Sequence, residues 1–221
     1  MNIFTKRYEE MGEKISFIKI PRTIRVNTTK ISAKNLKERL EKKGIEVEKV
    51  PFVKNAFYIR SYFNIVSSPE YLLGLFYIQD AAAQIPVDVL KPKGLVLDGF
   101  AAPGGKTTQL AEFCDVIAVE QKKERFTALE NNLERLGIRN CIGYQMDFRS
   151  VNEKFDYILV DAPCSGNFML EGKLWFKKNS MRRIEERARL QKELLSHAIN
   201  LLHKDGVLVY SKIGRASCRE R

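Results

Sequence analysis

Apolar and polar positions follow two different patterns along this chain, and the change between them falls near residue 68. Residues 1–20 are a charged lead-in. IRVNT (24–28) reads as a strand. Ser32 is placed to cap a helix, SAKNLKERLEKKG, which carries Ala33, Leu36 and Leu40 on one face and stops at Gly44. VEKVPF and AFYIR follow as short strands interrupted by Pro51 and Asn55. These elements make a small α+β module of about 45 residues, too small to be very stable alone.

From residue 70 the pattern changes. A helix rich in Leu, Ala and Ile is predicted over 70–90, ending at Lys-Pro-Lys-Gly. Four apolar runs of the buried parallel-strand type come next: LVLDGF (95–100), VIAVE (116–120), CIGYQMD (141–147) and YILVDAP (157–163). Helical stretches separate them: KTTQLAEFC, ERFTALENNLERLG and the long MRRIEERARLQKELLSHAINLLHKDG. A fifth strand, GVLVYS (206–211), follows. Strand–helix alternation of this kind predicts an α/β fold with a doubly wound, Rossmann-like sheet.

The composition, 44% hydrophobic and 29% charged over 221 residues, is that of a folded chain with one sizeable core and a small extra domain. No apolar run reaches the ~18 residues of a membrane span, and the N-terminus lacks the apolar stretch of a secretory leader, so no membrane and a cytoplasmic location are expected. Cysteines stand at 114, 141, 164 and 218 with no CxxC pair, and there are two histidines; neither a metal site nor a disulfide framework is expected. The net charge of +11 is uneven: residues 1–67 hold fifteen Lys/Arg against seven Asp/Glu. A basic arm facing a polyanion and a merely solvated lysine-rich surface both fit that asymmetry.

The segment LDGFAAPGGKTTQLA (97–111) puts a glycine-rich turn between a buried strand and a helix, where backbone N–H groups can meet a polar ligand. Glu120 ends the next strand, 22 residues after Asp98, where an acid can accept hydrogen bonds from ribose hydroxyls. Asp147 ends the third strand on the same carboxyl edge and can take an adenine amino group. Three contacts on one edge make a nucleoside cofactor site. A Walker phosphate loop is the sharper rival, since Gly-Lys-Thr (105–107) fits its end and Asp161 resembles a metal-holding acid. That pattern needs glycine five positions before Gly105, and Phe100 stands there. In DAPCSG (161–166), Cys164 follows a proline on the same edge; a free cysteine on an apolar strand is otherwise a small buried hydrophobe.

AAPGGKT, with DAPCSG about 55 residues later, the preceding YIQDAAAQIPVDVL and the following KDGVLVYS, closely resembles the Nol1/Nop2/Sun (NSUN) family of RNA 5-methylcytosine methyltransferases. The likeness covers roughly residues 22–211, and RVNTTKIS…LEKKGIEVEKVPF looks most like the archaeal members that modify tRNA. The resemblance implies a class I methyltransferase core over 68–212 behind a basic RNA-binding domain over 1–67, S-adenosylmethionine as cofactor, and RNA, foremost tRNA, as partner. It implies that Phe100, Ala101, Ala102, Pro103, Gly104, Gly105 and Lys106 line the methionine and ribose side, that Glu120 binds the ribose and that Asp147 binds the adenine. Asp161 and Lys106 are to face the target cytosine, and Cys164 is to assist product release. Lys173, Lys177 and Lys178 are offered to phosphate beside Trp175, which packs.

The chemistry of the family needs a thiol because carbon 5 of cytosine is a poor nucleophile until a thiolate adds to carbon 6. The base must also leave its stack. Family members continue VYS with Thr-Cys-Ser, whose cysteine is that nucleophile, whereas Lys212 and Ile213 stand here and Cys218 comes five residues later. The expectation is that 213–221 is a non-native tail, that the nucleophile and two C-terminal strands are missing, and that an open apolar edge lowers solubility. Cys164 as a substitute nucleophile and a non-catalytic RNA-binding protein with a vestigial fold are the alternatives. The glycine loop, Glu120 and Asp161 speak against the vestigial fold.

Overall fold

The computed structural model describes residues 10, 12, 21–163 and 181–211. Residues 21–162 with 194–211 form one compact unit, and the described residues 163 and 181–193 belong to a second.

Within the first unit, a four-stranded antiparallel sheet is organised on β1 (Arg22–Val26). Ile24 and Val26 are fully buried in one cluster with Leu36 and Leu40 of α1 (Ala33–Glu41). Burying such side chains contributes about 1.5–3 kcal/mol each. The two-residue period of a strand turns Thr23 and Arg25 to the opposite face, and they are buried too. α1 begins where the Ser32 side chain accepts the Asn35 N–H at 3.2 Å. β2 (Glu46–Lys49) and β3 (Ala56–Arg60) pair with each other, β3 pairs with β1, and β4 (Phe76–Ile78) takes the other edge of β1.

β4 corrects the expectation of one helix over 70–90. Instead α2 (Pro69–Leu72), capped by Ser68, gives way to β4 and then to α3 (Ala81–Leu90). An apolar run too short to show a period does not distinguish helix from strand. Gly74 breaks the run: it sits at φ +67°, and a Cβ there would lie 2.0 Å from the Arg135 carbonyl oxygen. The small sheet thus draws its fourth strand from beyond residue 67, where the sequence pattern divides the chain, because β4 covers an edge of β1 that would otherwise be open.

The second sheet is parallel throughout, as the apolar runs predict. β5 (Leu95–Asp98), β6 (Asp115–Val119), β7 (Cys141–Tyr144), β8 (Phe155–Val160) and β9 (Leu202–Tyr210) lie in the order β7-β6-β5-β8-β9. α4 (Gly105–Leu110), α5 (Lys123–Leu136) and α6 (Met181–Asn200) lie between strands in the chain, and α6 crosses from the second unit into the first. Val96, Leu97, Val116, Ala118, Ile158 and Leu159 are buried between the layers. The strand order reverses between β5 and β8, so their carboxyl ends open the crevice in which such sheets bind ligands.

The last helix stops earlier than its pattern predicts. LLHKDG is not helical; β9 starts at Leu202, and its pairing with β8 shifts between Phe155↔Leu202 and Tyr157↔Val207. Asp205, at φ +69°, accommodates this bulge. Among the described residues no helix is long and apolar enough to cross a membrane, and no group of three or more His, Cys, Asp or Glu is placed to hold a metal ion.

Candidate functional site

The carboxyl edge of the parallel sheet gathers the residues singled out by the sequence motifs. The turn from β5 to α4 is held by donors on its carbonyl side. The Ala101 oxygen accepts from the Gly104 N–H at 2.8 Å and from Thr107 Oγ1 at 3.0 Å. Ala102 accepts from Arg125, and Pro103 from Asn132 Nδ2 at 2.9 Å. Gly104 accepts from Thr108 Oγ1 at 2.7 Å, and Gly105 from Arg25 Nη1 at 2.7 Å. Every carbonyl from 101 to 105 is thereby tied down, which presets the loop for a ligand without reorganisation. Gly104 itself stands at φ +107°, a conformation that only glycine adopts readily, and the Ala102–Pro103 peptide is cis.

Glu120, directly after β6, is 5% exposed. Its Oε1 accepts the Lys122 N–H at 2.9 Å; Arg125 Nη1 lies 3.2 Å from Oε2 but off the line of a hydrogen bond. Oε2 is therefore a buried acceptor without a hydrogen-bond donor among the described residues, the kind of atom a ribose hydroxyl satisfies. Asp147 is already engaged. Arg149 meets it with Nε at 3.0 Å and Nη2 at 2.6 Å, and Gln121 Nε2 lies 3.0 Å away. The Arg149 hydrogen bonds hold this carboxyl below its usual range. The sequence reading assigns Asp147 to adenine and does not foresee Arg149, although its two-residue spacing from Asp147 is that of a capped turn.

Lys106 Nζ and Asp161 Oδ2 lie 2.6 Å apart, joining the start of α4 to the end of β8 across 55 residues of sequence. Asp161 Oδ1 makes no such bond among the described residues, and the Asp161 side chain is 39% exposed. Phe100 stacks obliquely on Phe148, ring centroids 5.2 Å apart, and Phe148 meets His197 of α6 edge-on at 5.3 Å. Cys164, Lys173, Trp175, Lys177, Lys178 and residues 212–221 lie outside the described residues. In the second unit, Gln191 Nε2 donates to the carbonyl of Pro163, the residue before Cys164, at 2.8 Å.

Asp98 lies inside the motif 97–111, yet the sequence assigns it no role. It is 1% exposed, accepts Thr107 Oγ1 at 2.8 Å and the Phe100 N–H at 3.3 Å, and burial pushes its carboxyl up to about 6. Its signal in the sequence is an acid closing an apolar strand directly before a glycine turn. Cys114 and Cys141 are inert by contrast: desolvation, with Asp115 and Asp98 respectively adding repulsion, pushes their thiols up to about 11 and about 12.

Asp98, Glu120, Asp147 and Asp161 make this edge acidic, while Lys106, Arg125 and Arg149 are each paired with one of those acids. Such an edge disfavours a triphosphate and suits a nucleoside carrying positive charge. The orphaned acceptor at Glu120 and the preset glycine loop fit S-adenosylmethionine, whose sulfonium and ammonium are cationic.

Comparison with known proteins agrees. Residues 87–216 match the family described as 16S rRNA methyltransferase RsmB/F, and residues 2–81 match the N-terminal domain of 16S rRNA methyltransferase RsmF. The chain is 37% identical over 210 residues to ribosomal RNA small subunit methyltransferase F of Vibrio campbellii, covering 86% of this chain and 43% of that protein. It is 39% identical over 201 residues to the tRNA (cytosine(49)-C(5))-methyltransferase of Pyrococcus abyssi, covering 86% of this chain and 64% of that one. The crystal structure of a methyltransferase homologue from Pyrococcus horikoshii superimposes with a TM-score of 0.77 at 38% identity, over 87% of this chain and 64% of that one. The chain thus spans less than two thirds of these relatives. With its family profile matched across the parallel sheet and the site edge, the chain belongs to the RsmB/F family of S-adenosylmethionine-dependent RNA methyltransferases.

Proposed function

We propose that this chain carries the transfer of a methyl group from S-adenosylmethionine to carbon 5 of cytidine in RNA, with tRNA as the substrate. The observation that carries the reading is the Lys106–Asp161 pair at 2.6 Å, set beside a glycine loop whose carbonyls are all occupied. When bound, the cofactor supplies an electrophilic methyl group. Glu120 Oε2 accepts from the ribose, and Asp147, steadied by Arg149, accepts from the adenine amino group. Lys106 fixes Asp161 so that its free Oδ1 receives the exocyclic amine of an everted cytosine. A cysteine thiolate would add to carbon 6, carbon 5 would take the methyl group with S-adenosylhomocysteine as the leaving group, and loss of the carbon-5 proton to a base would expel the thiolate and restore the ring. Cys114 directly precedes β6 and Cys141 opens β7, both at the amino ends of their strands and away from the site edge, so that chemistry belongs to a thiol at the position Ile213 occupies here, with Cys164 assigned to release.

In the same reading, residues 1–67 together with β4 form the RNA grip and the parallel sheet is the transfer core, at work in the cytoplasm, where tRNA is. Exposed Lys34 and Arg60 are among the cations available to phosphate. The tRNA preference is supported by the likeness to the Pyrococcus enzyme, and the residues assigned to the cofactor by their convergence on one edge.

Two measurements test the proposal. In calorimetry, S-adenosylmethionine is expected to bind wild type saturably and to lose at least about ten-fold in affinity in both Gly105→Val and Asp147→Ala. A Cβ on Gly105 would already stand 3.3 Å from the Tyr77 ring. No binding to a folded wild type overturns the cofactor reading. With a radiolabelled methyl donor and unmodified transcripts, label is expected in tRNA as 5-methylcytidine from a chain carrying Lys212→Thr and Ile213→Cys, which restores the family's nucleophile position, and not from the chain with Ile213. Label confined to 16S rRNA removes the tRNA preference, and label in neither removes the assigned activity.

A further inference from the structure

Arg25 belongs to the small sheet, yet its guanidinium is spent on the other one. The side chain is 4% exposed. Nη1 donates to the Gly105 carbonyl at 2.7 Å and to Gln79 Oε1 at 3.3 Å, and Nη2 donates to Thr108 Oγ1 at 2.7 Å. Nε lies 3.4 Å from Glu112 Oε1, at the far end of the same α4 segment, and Glu112 also accepts from Thr28. Two residues on, Asn27 Nδ2 donates to the carbonyls of Gly74 and of Leu136, the last residue of α5, both at 2.9 Å. The face of β1 opposite the apolar core is thus a row of donors aimed at the first turn of α4 and the end of α5.

A buried cation that only filled space would be an expensive choice, since an isolated charge in the interior costs several kcal/mol unless it is paired and hydrogen-bonded. Burial lowers this guanidinium to about 10, so it stays charged at neutral pH. Its strongest bonds go to the residue that ends the glycine turn and to the hydroxyl that also holds the Gly104 carbonyl. No other side chain reaches the Gly105 carbonyl among the hydrogen bonds of the described residues apart from the local Thr108 hydroxyl at 3.3 Å.

We propose that Arg25 is a positioning residue of the cofactor loop: by holding the Gly105 carbonyl and the Thr108 hydroxyl, it sets the backbone that receives S-adenosylmethionine. The small sheet is then a structural part of the cofactor site as well as the RNA grip. This inference rests on the proposed cofactor reading, and its test separates the two.

Three variants of the full chain serve. Arg25→Lys keeps the charge opposite Glu112 and cannot span both acceptors. Arg25→Met with Glu112→Gln removes the interaction without stranding a charge. Glu70→Gln disturbs a buried carboxylate of α2, held by Arg39 of α1 and by Lys43 away from the glycine loop. Dissociation constants for S-adenosylmethionine are expected to rise about ten-fold in the lysine variant and about a hundred-fold in the double variant. Amide hydrogen exchange over residues 99–110 is expected to quicken in both. Glu70→Gln lowers the unfolding midpoint but leaves the affinity and the exchange of that segment unchanged. Wild-type affinity and exchange in a folded lysine variant overturn the proposal, as does an equal loss in Glu70→Gln. If wild type itself binds no cofactor, the cofactor reading falls, and loop exchange in Arg25→Lys against Glu70→Gln still decides the role of Arg25.

Discussion

Gly74→Ala is expected to lower stability by about 3–5 kcal/mol, far more than an ordinary loop substitution. The left-handed conformation at φ +67° accounts for only about 1–2 kcal/mol of that. The rest is collision. The new Cβ would stand 2.0 Å from the oxygen and 2.8 Å from the carbon of the Arg135 carbonyl, and 3.0 Å from the Leu136 Cα. These are backbone atoms, and the surrounding bonds resist their retreat. Asn27 ties the Gly74 and Leu136 carbonyls together, Lys30 Nζ bridges the Leu73 and Arg135 carbonyls, and Arg135 donates to the carbonyls of Tyr71 and Phe76. Gly44 provides the comparison, at φ +75° with nothing within 4 Å of its added Cβ. Urea unfolding of both alanine variants measures the difference. Equal losses would mean that the small sheet is not pressed against α5 as described.

Asp98→Asn is expected to gain stability relative to wild type by about 2.4 kcal/mol as pH rises from 4 to 7. Burial raises the Asp98 carboxyl from its ordinary 3.8 to about 6. Between those values the folded protein keeps a proton that the unfolded chain has released, so wild-type stability falls as pH climbs through the window and levels off above it. Asparagine has no proton to lose. It also fits: the single Thr107 hydroxyl proton, shared in wild type between Asp98 and the Ala101 carbonyl, can go wholly to Ala101 so that Oγ1 accepts the new amide, while the Phe100 N–H keeps its acceptor. Glu70 and Asp147, whose carboxyls are held low, slope the other way in both proteins and cancel in the difference. Urea midpoints taken across this pH range decide it; parallel curves for the two proteins would refute the buried ionisation of Asp98.

The parallel sheet was legible wherever apolar runs were bounded by turn residues, as at Leu95–Asp98 and Phe155–Val160, and α5 was legible from its helical period. Residues 70–90 misled because the leucines Leu72 and Leu73, counted toward one long helix, are exposed, while Phe76 three positions later is fully buried in a strand. Periodicity reports which face is covered, and there the covering partner is β1, some fifty residues away in sequence. The site divides in the same manner. Glycine loop and acids stand out locally, since Asp98, Glu120 and Asp161 close or directly follow a strand and Asp147 caps the turn three residues after β7. The Lys106–Asp161 pair and the Arg25 clamp depend on chain crossings that no local pattern records, and a buried arginine on a strand looks like any other surface cation until the opposing helix is in place.

The two faces of β1 have a consequence for recombination between relatives. Ile24 and Val26 answer to α1, while Arg25 and Asn27 answer to α4 and α5, so one five-residue strand and its next neighbour are matched to both halves of the protein. A chimaera joined at residue 67 would give β4 a foreign partner strand and give the glycine loop a foreign clamp. A junction after β4, near residue 80, keeps the sheet whole, yet it succeeds only when the incoming module brings its own arginine and asparagine at those two alternate places. The graft boundary of this protein is therefore set by side-chain parity along a strand as much as by the linker between its sheets.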